Sequence, residues 1–301
     1  MAVVLTMIGV AMIGTALQDL FHTLFHPAAE GDISDWIAHI IWKVFRRIKL
    51  RSLTLAGPLA FLAIIAYWAV SVLIGFALIY LPHLPKAYTF DTGISTTNYS
   101  SFAGALTVSI GSLITLSTGS YAKPVWLEFL MGVESVFGFA LLTASVSWIL
   151  SIYPVIEHRR TLGHQATLLH FSDSSGSHPL ESLDDTDLAH ILLGFAAQMT
   201  THRNELTQFP VTYYFYEEDR ETALAGILPY LADIAKQNAT RNGAAGAAAI
   251  MLGGAIDDYL KILARFFLNV DPTNREEILK AFARDQMRDM VRSPQRLDKA
   301  A

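Results

Sequence analysis

The chain contains no cysteine. That excludes disulfides, thiolate metal sites and thiol catalysis. Charge is also scarce, at 16% of residues, and unevenly spread. Only seven of 27 acidic residues and seven of 22 basic residues precede Ile156. The net charge of −5 comes with no basic patch of the kind that nucleic-acid binding needs. No helix carries an arginine at every third position, as a voltage sensor would. The glycine-rich run from Gly243 to Gly254 does not follow a strand, so no nucleotide-binding βαβ unit is expected. The ten histidines form no acid–base or nucleophile constellation with serines or carboxylates, so no enzyme is expected, and no bound cofactor. The start lacks a basic leader followed by a small-residue exit, so its apolar run is expected to be kept.

What the chain has is apolar sequence, 52% of residues, concentrated in its first half. This predicts a membrane part followed by a soluble part. Residues 1–27 read as a first transmembrane helix, apolar to Leu17 and closed by Pro27. Residues 28–52 read as an amphipathic helix at the membrane surface, with Trp36, Ile37, Ile40, Ile41, Val44 and Ile48 at helical spacing. It holds Lys43, Arg46, Arg47, Lys49 and Arg51, five of the seven basic residues before Ile156, and belongs on the cytoplasmic side. A second span covers residues 53–81, with Tyr67 and Tyr80 placed to anchor at interfaces. An outer loop follows at 82–100, and an inner span covers 124–155 with Pro154 near its end. The amino terminus then lies outside, and residues 156–301 form a cytoplasmic helical domain on a multi-pass protein of the cell (inner) membrane. Within that domain helices are expected from Asp184 or Asp185 to about Leu206, and over 218–237, 245–268 and 273–291. Residues 171–179 read as a loop. The aromatic segment 209–216 is β-prone but too isolated to build a sheet.

Between the second and inner spans lies an uncharged stretch, residues 101–124. Its apolar part, 101–114, is too short to cross a bilayer, which needs about 20 apolar residues. A Ser/Thr/Gly run follows. A short helix that enters the membrane and returns as irregular backbone fits, because such backbone is tolerated only where buried in protein or lining a wet path.

This order of elements resembles the pore module of the tetrameric potassium-channel family. The family filter reads Thr-Val/Leu-Gly-Tyr/Phe-Gly-Asp; here Thr115-Leu116-Ser117-Thr118-Gly119-Ser120 aligns with it. Thr115, Leu116 and Gly119 match, while Ser117, Thr118 and Ser120 depart. The segment from Asp19 to Pro27 also resembles the start of bacterial members with an extra first span. The resemblance implies an all-α, homotetrameric pore fold with a re-entrant pore helix at 101–114 and a filter at 115–120. Monovalent cations, potassium foremost, would pass between four sets of backbone carbonyls. It places a gating hinge at Gly138, where family inner helices bend; close helix packing is the other use of a small residue there. Ser117, carrying a Cβ where the family has glycine, is expected to resist the left-handed geometry at a cost of about 1 kcal/mol or more. Weakened potassium selectivity is expected, or a filter whose lining is joined by the hydroxyls of Thr115, Ser117 and Thr118; a filter that keeps the family geometry and its potassium selectivity is the plainer reading, and a pore fold kept as a non-conducting receptor or scaffold is the alternative function.

Two further sets of residues stand out. Glu134 lies four residues before Gly138, on the same helical face, and an ionisable group at membrane depth is a functional candidate. It either bonds behind the filter or faces the cavity. Asp19, His22 and His26 share one helix face. They suit a proton or metal sensor, or a polar cluster touching the surface helix. No metal beyond permeating ions is expected.

Overall fold

The computed structural model describes residues 1–25, 32–48, 50–92, 95–175 and 180–292. It is mostly helical. The helices are α1 (Ala2–Phe25), α2 (Asp32–Ile48), α3 (Ala56–Tyr80), α4 (Phe102–Leu113), α5 (Val125–Ser174), α6 (Asp185–Gln208), α7 (Leu224–Asn238), α8 (Ala244–Leu263) and α9 (Arg275–Asp285). Three of them, α1, the helix running through α3 and α5, are long and apolar enough to cross a membrane. The chain divides into two compact units: Met1–Ile48 with Pro58–Ser151, and Lys49–Gly57 with Ile152–Ala301.

In the first unit, α1 and α3 meet where both lack a side chain. A Cβ on Gly75 would stand 2.6 Å from Ile13 and 2.8 Å from the Gly9 carbonyl. Small residues let apolar helices approach closely in this way. Further along α3, Trp68 packs on Trp148 of α5 with ring centres 5.4 Å apart, and Phe61 packs on the same indole at 4.6 Å. Helix α4 is capped by Ser101, whose hydroxyl accepts from the Gly104 amide at 3.3 Å.

The expectation of an all-α chain needs one correction. Residues Tyr88–Phe90 (β1) and Ser120–Ala122 (β2) pair antiparallel, with Phe90 opposite Ser120 and Tyr88 opposite Ala122. Ser120 therefore opens a strand. Three-residue strands carry too little pattern to be read from sequence.

In the second unit, α6 packs along α8. Leu188, Leu192 and Met199 on α6 and Ala245, Leu252 and Ile256 on α8 are all buried. Asp184 caps α6 by accepting from the Asp187 amide at 2.7 Å. The neighbouring Asp185 caps α8, accepting from the Ala244 and Ala245 amides at 2.7 and 3.2 Å. Gly243, at φ 102°, makes room for that carboxylate.

Several boundaries differ from expectation. Helix α5 does not stop at 155; it runs through Pro154 to Ser174 and takes in residues 171–174, expected as loop. Residues 176–179 of that expected loop lie outside the described part. The α5 extension has its own buried stripe, Ile152, Val155, Ile156, Leu162 and Ala166. Helix α7 starts at Leu224 rather than 218 because Asp219 accepts from the Glu221 amide and holds a turn. Helix α8 ends at Leu263, followed by a π-helical turn over Ala264–Leu268. Helix α9 is capped by Asn274 and gives way near Met287, at φ 48°. The aromatic segment forms a buried 3-10 turn, Pro210–Tyr214, with Tyr213 stacked on Phe267 at 4.2 Å.

Candidate functional site: the seam of α3, α4 and α5

Helix α5 lies along α4 in step, four residues at a time. Glu134 meets Ser109, and Gly138 meets Leu113. A Cβ on Gly138 would collide with the Leu113 carbonyl. Between them, the Ser135 hydroxyl donates to the Ser112 carbonyl at 2.7 Å. The absent side chain at Gly138 is thus used by close packing against the end of α4.

Glu134 is fully buried. Its Oε2 accepts from the Tyr80 hydroxyl of α3 at 2.8 Å. Its Oε1 is bonded to the Ser109 hydroxyl, which also lies 2.9 Å from the Leu73 carbonyl. One carboxyl group therefore ties α3, α4 and α5 together inside one chain. Tyr80 is wholly buried and serves this contact, not the interfacial anchoring its position near the end of the span suggested. The Tyr88 hydroxyl is buried as well and has no hydrogen-bond partner among the described residues. Sequence reasoning picked out Glu134, read Tyr80 only as an interfacial anchor and passed over Ser109. The signal available was the pair of hydroxyls Ser109 and Ser112 on one turn of an apolar helix.

No protein-family model, curated protein or solved structure matches this chain.

Residues 115–120 follow α4 through a tight reversal. The Leu116 amide donates to the Gly111 carbonyl at 2.7 Å, and Thr115 takes φ 58°. A Cβ at Gly111 would stand 2.8 Å from the Leu116 carbonyl, so glycine there lets the chain fold back. The left-handed residues are Thr115 and Gly119, at φ 58° and 66°. Ser117 is not among them, so the strain expected at Ser117 falls on Thr115. Thr115, Leu116 and Ser117 are exposed, while Gly119 and Ser120 are buried. The outer end is tied to its own chain: the Gly119 carbonyl accepts from the Asp91 amide at 2.9 Å and the Thr118 carbonyl from the Tyr99 hydroxyl at 3.4 Å. Thr118 and Ser120 share a hydroxyl–hydroxyl bond of 2.7 Å.

Asp19 is buried with every oxygen engaged. Its Oδ1 accepts from the Ile33 and Ser34 amides at 3.1 and 3.3 Å. Its Oδ2 accepts from the Ser34 hydroxyl and from the Trp68 indole, the latter at 2.8 Å. A carboxylate from α1 thereby caps α2 and clamps α3. His22 is half-buried beside Phe21, and His26 lies outside the described residues. Among the described residues no three His, Asp or Glu side chains are grouped to hold a metal.

Proposed function

We propose that this chain is one subunit of a homotetrameric cation channel of the potassium-channel type. The observation that carries the reading is α4 with the loop after it. A twelve-residue uncharged helix lies between two helices long enough to span. Its carbonyl end leads into Thr115-Leu116-Ser117, exposed in the single chain. In four copies around an axis, those residues would offer carbonyls and hydroxyls to a dehydrated monovalent cation. The helix carbonyl ends would add about half a negative charge each, pointed at the cavity. Ile110, Ile114 and Leu116 are 43%, 58% and 63% exposed, apolar surface suited to neighbouring copies. The Glu134 seam would hold α4 at a fixed depth behind the ion path, and Gly138 would be the site of any bending in α5. The basic end of α2 sets the orientation, with the amino terminus outside and the α6–α9 region in the cytoplasm.

The second reading is a pore-like receptor or scaffold that does not conduct. It is favoured by the Gly119 and Thr118 carbonyls, which are bonded within the chain and so withdrawn from ion coordination. Potassium and sodium flux into vesicles holding the purified chain separates the two. Flux of both ions with a weak potassium preference is the expected result. A strong potassium preference would remove the weakened-selectivity clause, and no flux above empty vesicles would favour the scaffold.

A further inference from the structure

Within the second unit, a small, half-open cavity is lined by residues that include Arg159, His202, Tyr213, Tyr259, Gln286 and Arg288. A water-sized sphere can place its centre over about 20 Å³ there, room for a single small occupant. Among the described residues neither guanidinium has a carboxylate within 4 Å. Arg159 donates to the carbonyls of Thr212 and Phe215. Arg288 donates to the Glu217 carbonyl and lies 5.0 Å over the Tyr216 ring. The one carboxylate on the wall, Glu217, is paired with Arg160. His202 is 2% exposed, and among the described residues neither ring nitrogen has a hydrogen-bond partner. Glu205 approaches Nδ1 only to 3.7 Å and is itself bonded to His158 at 2.5 Å.

Two cationic groups bonded to carbonyls and an aromatic face, with one carboxylate nearby that is shared with Arg160, leave an excess of positive charge in a largely desolvated place, which is costly. A neutral histidine has one N–H to give. Glu205 flanks Nδ1 at 3.7 Å, and the tautomer with the proton on Nε2 would offer that N–H to an occupant of the cavity. We propose that this cavity binds one monovalent anion of halide size, held by Arg159, Arg288 and the His202 N–H. The space is small, and its wall carries two guanidinium groups against one glutamate already shared with Arg160, an excess of positive charge that favours a small anion. The site lies wholly in the second unit and does not depend on the pore reading.

The test uses the full chain in detergent, moved between sodium bromide and sodium gluconate at equal ionic strength. All five tryptophans precede Ile152, so tryptophan fluorescence follows the first unit, and unfolding of the second is the helical-dichroism transition that the tryptophan signal does not share. Bromide is expected to raise its melting temperature saturably by several degrees. Arg288→Gln and His202→Phe are each expected to abolish that rise; the second serves if the first fails to fold. Crystals grown in bromide should show an anomalous peak between His202 and the two arginines. Equal melting in both salts, a bromide effect surviving in a folded variant, or water alone in the cavity would each overturn the proposal.

Discussion

At the scale of single residues, Glu134 joins three helices of the first unit. It accepts from Tyr80, contacts Ser109 and is wholly buried. Glutamine keeps both contacts: its oxygen accepts from Tyr80, and its amide donates to Ser109, whose own proton then goes to the Leu73 carbonyl. Glu134→Gln should therefore melt close to the parent. Glu134→Ala strips the buried Tyr80 hydroxyl of its carboxyl partner, at about 1–3 kcal/mol, leaves Ser109 only the Leu73 carbonyl, and adds a cavity. It should lower the melting transition reported by tryptophan fluorescence by several degrees. Equal melting of the two variants would mean that the carboxyl group does not hold the three helices together.

At the scale of elements, the same logic applies to α2. Its first amides have no acceptor within the helix, and Asp19 supplies one from α1. Asp19→Ala removes that cap and orphans the Trp68 indole, at about 0.5–2 kcal/mol for the cap alone. Amide exchange across α2 should accelerate by roughly tenfold at 1.4 kcal/mol lost, with α4 unchanged. Unchanged exchange in α2 would sink the capping role. The elements themselves were largely legible in the sequence. Long apolar runs marked the three candidate spans, and the apolar stripe with a basic end marked α2. Asp184 announced α6 by its cap chemistry. What stayed hidden was set by tertiary partners. Pro154 sits inside α5 because the helix beyond it buries its own stripe. The β1–β2 ribbon needs residues about thirty apart to meet. At the seam, Glu134 showed itself as a lone acid in apolar sequence, but Tyr80 and Ser109 are common residues whose role appears only on contact.

At the scale of the whole molecule, the two units should answer to acid differently. Burial lowers the affinity of His202 for a proton below the ordinary histidine range. For Glu205, burial alone would raise the carboxyl, but the adjoining His202 and His158 outweigh it and hold the group low. Both groups thus bind fewer protons folded than unfolded, so both contribute stability that falls as pH falls. For His202 the contribution is complete above about pH 6.5, where the unfolded ring is already neutral, and declines below it by up to about 1.4 kcal/mol per pH unit. Glu205 adds to the decline only below about pH 4.3, the ordinary glutamate value. At constant halide, the second unit should therefore lose stability between pH 7 and 5, and His202→Phe should flatten that slope while the tryptophan transition of the first unit serves as an internal reference. Because Arg159, Tyr259 and Glu205 all bear on the same ring, the slope measures the cluster rather than an isolated side chain. A parent slope of zero over that interval, or one that persists in His202→Phe, would mean that the buried imidazole is not the group that couples folding of this unit to acid.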